Sequence, residues 1–246
     1  MKPRILDLGD RALTVEFGDR IDPALQARVA ALDQACAVAM QAGRLPGVSE
    51  TVPSFRSLTL IFDPLRTSRA RLLPALHELL DSPGSQTPAP ARHWQLPACY
   101  EADFAPDLGD IAAHSGLTET AVIEQHLATE YRVYMLGFLP GFPFMGDIAP
   151  PLRLPRRAEP RVQVPAGSVA IANGLTAIYP WQSPGGWHLL ANCPVPLFDA
   201  TRNSPALLGA GDRVRFKAVN AAEHTRLSRA LSAGELSPDS FARPAP

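Results

Sequence analysis

The sequence predicts an α+β protein, with a small antiparallel α/β N-terminal domain followed by a β-barrel C-terminal domain. Three observations carry that prediction. Over the first 80 residues the apolar pattern alternates between strand and helix periods in the order ββαββα, which implies a small antiparallel sheet with helices on one face. The stretch "DSPGSQTPAPA" at 81–91 holds no apolar side chain larger than alanine, proline or threonine and reads as a linker. Beyond it, short β-rich segments are split by Gly and Pro, the pattern of a closed or nearly closed barrel with few exposed edges. The expected domains are therefore 1–80 and 92–246, joined by a linker at 81–91.

In the N-terminal part, "RILDL" and "ALTVEF" alternate apolar and polar residues about a "GDR" turn and predict two strands. Asp22 can cap a following helix with Pro23 in its first position; Leu25, Val29, Leu32 and Cys36 form its apolar stripe and Gly43 stops it. "GVSETVPSF" and "SLTLIFDP" predict two more strands, and Leu72, Leu73, Leu76, Leu79 and Leu80 a second helix that Pro74 either starts or kinks. In the second part a strand is expected around 94–100, helices at 107–115 and 119–129, and a strand at "YRVYMLGF". Short strands then run to residue 219, followed by a helix at 221–233 and a frayed tail ending "PDSFARPAP".

The totals exclude several functions. A net charge of −1 over 246 residues provides no field to gather nucleic acid or an acidic membrane. No apolar run approaches the roughly 20 residues that cross a bilayer, and the charged N-terminus cannot be the core of a signal peptide, so a cytoplasmic location is expected. Cys36, Cys99 and Cys193 are far apart and form no CxxC, so they read as buried reduced thiols and no metal is expected. The usual nucleophile, zinc-protease, P-loop and dinucleotide motifs are absent, and the six histidines form no ligand-spaced pair. A complete hydrolase acting alone is not expected.

What remains is a set of loops between Gly137 and His188. "GFLPGFPFMG" alternates Gly hinges and Pro stiffeners with Phe138, Phe142 and Phe144, and suits a barrel plug, a ligand rim or a contact with a partner. "LRLPRRAEPR" places Arg153, Arg156, Arg157 and Arg161 within nine residues on a proline-stiffened chain. Guanidinium forks suit carboxylate or phosphate oxygens. Gly167 with Ser168, and Ser183 with Gly185 and Gly186, sit in small-residue turns whose N–H groups can form an anion nest, although tight hairpins alone account for the glycines. Trp187 and His188 follow directly and supply a stacking face and a proton-transfer group.

Taken in order, "GDRALTVEFGDRID", "GVSETVPSFRSLTLIFDP", "LGFLPGFPFMG", "LPRRAEPRVQVPAGSVAIANGLTAIYPWQSPGGWHLLA" and "LFD" followed by "LLGAGDRVRF" resemble the family of the B-type subunit of 5-oxoprolinase. That family includes the kinase inhibitor KipI and allophanate hydrolase subunit 1. The resemblance covers roughly residues 5–220. It implies a cyclophilin-like β-barrel in the C-terminal domain and work inside a heteromeric complex. There, a C-type partner resembling allophanate hydrolase subunit 2 and an A-type partner help to open 5-oxoproline to glutamate with ATP hydrolysis. ATP, with Mg as its counter-ion, is then expected mainly on a partner. "FMGDIAPPL" stands where a more Gly- and Leu-rich turn is expected.

With that family in view, the expected catalytic residues are His188, Arg156 and Arg161, with Arg153 also on phosphate or carboxylate. Ser168, Gly167, Ser183, Gly185 and Gly186 would cradle oxygens, and Trp187 would orient the substrate ring. Phe142, Phe144 and, more weakly, Arg56 are expected at interfaces with the partners. The competing expectations are a KipI-like module that grips a sporulation histidine kinase and a component of a related urea or allophanate enzyme. Peptidyl-prolyl isomerase activity rests on fold analogy alone.

Overall fold

The computed structural model describes residues 2–81 and 91–244, and the chain divides into two compact units between Pro90 and Ala91. Of the expected linker, residues 82–90 lie outside the described residues.

The first unit runs β1 (Arg4–Asp7), β2 (Ala12–Glu16), α1 (Pro23–Gln41), β3 (Val48–Pro53), β4 (Ser57–Phe62) and α2 (Arg69–Asp81). Its strands form one antiparallel sheet in the order β1-β2-β4-β3. The helix start follows the sequence signal: Asp22 accepts from the Ala24 N–H at 2.8 Å and Pro23 occupies the first turn. Val29, Leu32, Cys36 and Ala39 of α1 then pack with Leu13, Val15, Leu58, Leu60, Leu72 and Leu76 in one core. Pro74 lies in the second turn of α2, which continues through it to Asp81.

The second unit runs β5 (His93–Cys99), α3 (Leu108–Ser115), α4 (Glu119–Ala128), β6 (Tyr131–Leu136), β7 (Pro143–Gly146), β8 (Arg161–Val164), β9 (Ser168–Ala172), β10 (Leu175–Ile178), β11 (Ser183–Gly185), β12 (His188–Asn192), β13 (Arg213–Val219), α5 (Ala221–Ser232) and β14 (Ala242–Arg243). Seven strands pair in the order β12-β9-β10-β7-β6-β13-β5, and a β12–β5 pairing at Asn192 and Cys99 closes them into a barrel. The β5–β13 pair is parallel, and the other neighbours are antiparallel.

The period of two divides the barrel strands between two cores. Val169 and Ile171 of β9 face the interior with Tyr131, Met145, Ile178 and Leu190. Ala170 and Ala172 face outward into a second cluster with Phe142, Tyr179, Trp187 and Leu189, which the β8–β11 ribbon helps to cover through Val164. The tail expected to fray does not do so up to Arg243. Phe241 packs on the main core, and Ala242 and Arg243 pair with Trp94 and His93. All three cysteines are buried and free, as their isolation in sequence suggested, and burial pushes the Cys36 and Cys193 thiols up to about 12.

Candidate active site

The chemically active side chains gather around Asp107, which the sequence reasoning did not single out. It sits at the N-cap of α3, where an aspartate ordinarily accepts from free N–H groups of the first helical turn. Its side chain makes no such bond. Buried to 2% exposure, it turns to the barrel wall: Oδ1 accepts from Arg157 Nη1 at 2.9 Å and Arg161 Nη2 at 2.6 Å, and Oδ2 accepts from the Leu189 N–H at 2.7 Å. Its own N–H donates to the Leu189 carbonyl at 3.1 Å. One carboxylate thus ties α3, the Arg-rich segment and β12 together.

The local folding of each partner explains why they meet. Arg161 opens β8 and stands opposite Gly185 of β11, while the Arg157 N–H donates to the Gly186 carbonyl at 2.8 Å. His188 opens β12, paired with Ile171 of β9. Its Nε2 lies 3.0 Å from the Pro155 carbonyl, an obligate acceptor, so Nε2 carries the proton and Nδ1 is left as an acceptor. Burial lowers the imidazole pKa from its ordinary value and so favours the neutral form, which the Pro155 and Asp107 oxygens partly oppose. The His114 ring lies 6.2 Å from that of His188, with its own Nδ1 donating to the Asp110 carbonyl at 2.8 Å.

Several buried polar atoms here have no partner among the described residues: Arg157 Nε, Arg161 Nη1, His188 Nδ1 and Ser183 Oγ. The first three belong to side chains packed about Asp107. Arg157 and Arg161 are about a quarter exposed as side chains, while the unpartnered atoms themselves are buried.

The other expected residues divide by what their atoms already do. Arg156 is exposed and forms no ion pair among the described residues; it lies near Tyr179, whose phenol burial pushes up and the Arg156 charge pulls down. Arg153 is exposed, with Nε donating to the Ile148 carbonyl at 3.3 Å. Gly167 and Ser168 do not form the expected nest, because their N–H groups donate to the Tyr179 and Pro165 carbonyls. Gly167 is required for another reason: its φ is +79° and a Cβ would strike the Cys193 carbonyl. Gly185 is glycine because a Cβ would run into the Tyr179 hydroxyl.

Two further expectations are corrected. Phe142 offers no partner surface, since it is 1% exposed and packs on Tyr179, Phe144 and Trp187 at 4.9–6.2 Å between ring centroids. Trp187 is a wall of the same cluster at 7% exposure, so it has no open face for a substrate ring. Phe144 is half-buried beside them. The exposed aromatic of this loop is Phe138, at 65% and a φ of +68°. Arg56 is held in the first unit by Glu16 at 2.8 Å and by the Gly18 carbonyl.

Asp107 could have been found as an aspartate just before an apolar helix. That signal names a cap, and only the fold shows the side chain turning to the arginines. Among the described residues no group of three or more His, Cys, Asp or Glu is placed to hold a metal ion, and no helix is long and apolar enough to cross a membrane.

A small antiparallel α/β unit followed by a closed barrel is the fold of the relatives that the chain matches. The chain belongs to the family described as carboxyltransferase domain, subdomain C and D, which matches residues 3–208. The B-type subunit of 5-oxoprolinase from Bacillus subtilis (strain 168) is 35% identical over 231 residues, covering 88% of this chain and 93% of that protein. The crystal structure of TTHA0988 superposes with a TM-score of 0.74 at 41% identity over 86% of this chain, which spans 40% of that longer chain. The urea carboxylase of Kluyveromyces lactis shares the fold, with a TM-score of 0.77 at 20% identity, over 96% of this chain and 23% of its own.

Proposed function

We propose that this chain is the B-type subunit of an ATP-dependent 5-oxoprolinase, a non-autonomous component that opens 5-oxoproline to L-glutamate together with A-type and C-type partners. The observation that carries the reading is the Asp107-anchored arginine pair beside a neutral, open His188, in a chain 35% identical to a protein of that name. Hydrolysis of the lactam breaks the ring C–N bond, forms a C–O bond from water and delivers a proton to nitrogen. The arginine pair supplies fixed positive charge for the carbonyl oxygen as negative charge develops on it. His188 Nδ1 is a neutral acceptor within the same cluster that orients the ring nitrogen, and that nitrogen gains its proton from the attacking water as the C–N bond breaks. Arg156, and more peripherally Arg153, are available for the carboxylate or for phosphate oxygens. ATP supplies the driving force and is assigned mainly to a partner.

The test is glutamate release from 5-oxoproline and ATP by this chain mixed with its partners, each omitted in turn. Activity that needs this chain supports the reading, and full activity without it removes the reading.

A second reading, a KipI-like binding module, draws on Phe138, whose side chain is exposed on a left-handed backbone. Phe138→Ser would then abolish capture of a histidine kinase. In the 5-oxoprolinase reading it alters only co-elution with the C-type partner, and stability stays within about 0.5 kcal/mol in both cases.

A further inference from the structure

We infer that the Asp107 cluster reads the edge of a cis-amide, and that His188 selects ligands whose amide nitrogen carries a hydrogen. The inference deepens the lactam reading above and rests on it.

Around one buried carboxylate, three side-chain atoms are buried and unpartnered. Arg157 Nε and Arg161 Nη1 can only donate, and His188 Nδ1, in the tautomer fixed by the Pro155 carbonyl, can only accept. The two arginines share Asp107 Oδ1, and Oδ2 is bonded to the N–H of Leu189, the residue after His188. The His188 side chain is itself buried, at 7% exposure. A buried polar group without a partner costs about 1–3 kcal/mol, and three in one cluster point to a partner that arrives with a ligand.

The complement of this set is an acceptor oxygen next to an N–H donor. A five-membered lactam presents both on one edge, because the ring holds its amide cis. A ureido group does the same. An ordinary trans peptide points its C=O and N–H in opposite directions and cannot fill both. A carboxylate would satisfy the arginines but turn a second acceptor toward the Nδ1 lone pair. Asp107 cancels one of the two guanidinium charges, so the cluster keeps about one positive charge, suited to a polarised neutral carbonyl as much as to an anion.

This assignment makes the amide hydrogen the discriminating feature. A site built to bond an N–H rejects an isostere that lacks it far more strongly than a hydrophobic pocket rejects a methylene. The experiment is calorimetric titration of the full chain, alone and assembled with its partners, with 5-oxoproline, its N-methyl derivative and the corresponding lactone. The ¹⁵N resonance of His188 Nδ1 is followed in parallel. The expected result is binding of 5-oxoproline with a shift of that resonance, and affinities at least about tenfold weaker for the other two. His188→Gln should narrow the difference, and circular dichroism confirms that the variant folds.

Equal affinity for all three ligands, an unmoved Nδ1 resonance, or no binding in either form overturns the inference. The two readings fail separately. A complex that turns over the N-methyl lactam as fast as the parent removes the amide-edge assignment and leaves the 5-oxoprolinase reading. N–H-selective binding without glutamate release does the reverse.

Discussion

Two buried aspartates hold arginines in the barrel unit, and they end differently. Asp212 accepts from the Arg92 backbone at 3.2 Å, from Arg92 Nη2 at 3.0 Å, from Trp94 Nε1 at 2.9 Å and from the Gly209 N–H at 2.9 Å. Arg92 Nη2 also donates to the Leu207 carbonyl at 2.8 Å, and neither Arg92 nor Trp94 has a buried side-chain atom left without a partner. That cluster fastens the start of β5 to the turn before β13 and is complete in itself. Asp107 holds two arginines in the same way but leaves Arg157 Nε, Arg161 Nη1 and the neighbouring His188 Nδ1 open. Both arrangements cancel buried charge, and the distinguishing feature is whether the hydrogen bonding closes within the fold.

Substitutions at these two sites should act on opposite observables. Asp107→Asn keeps the size of the side chain but removes the charge that aligns both guanidinium groups. Turnover of the assembled complex is expected to fall by about 100-fold or more, in line with a displaced positioning group. Asp212→Ala should cost about 1–3 kcal/mol of stability in urea unfolding, because it leaves the buried Trp94 N–H and the Gly209 N–H without their acceptor while the half-exposed Arg92 stays solvated, with turnover per folded molecule unchanged. Unaltered turnover in Asp107→Asn, or an activity loss in folded Asp212→Ala, would erase the contrast.

A loss of stability without a site defect is also expected of Phe142→Ala, at about 3–5 kcal/mol, because the ring fills the outer cluster between Tyr179 and Trp187. The measurement is again urea unfolding, paired with co-elution of the C-type partner. Intact stability together with lost co-elution would restore this residue to an interface role.

How much of this was legible beforehand follows from the range of the interactions. Helix α1 was legible because Asp22, Pro23 and the apolar stripe lie within a few turns of one another. The barrel strands could be read from Gly and Pro punctuation, and so could the closure of the sheet in outline. The composition of the arginine loop suggested an anion site, but which forks stay free could not be read from it. Arg157 and Arg161 are claimed by a carboxylate 50 and 54 residues away, and no local pattern encodes that pairing. The Gly167–Ser168 turn misled because small residues serve a close backbone approach as well as they serve an anion. Phe142 and Phe138 look alike in sequence, and only the turn geometry at Gly141 decides which ring goes inside.

The smallest effect tests whether an open buried atom suffices to mark a site. His126 is fully buried, with Nδ1 2.6 Å from the Tyr100 hydroxyl and its ring stacked on Phe216 at 4.7 Å, and its Nε2 has no partner among the described residues. It packs among the rings of Tyr100, Tyr131 and Phe216, and the consequence expected is on stability alone. Burial lowers its pKa from 6.5 to about 3, so between those values the unfolded chain binds a proton that the folded chain does not. Stability is therefore complete above about pH 6.5 and falls as the pH drops toward 3, by up to about 1.4 kcal/mol for each pH unit well inside that window. His188 and His224, also lowered by burial, add to the slope with the same sign. Urea midpoints at pH 7, 5.5 and 4.5 measure it, and His126→Phe should flatten the slope while leaving 5-oxoproline binding at pH 7 as it was. A loss of binding in that variant would mean that single open atoms report on ligands throughout the barrel, and the Asp107 cluster would lose its distinction.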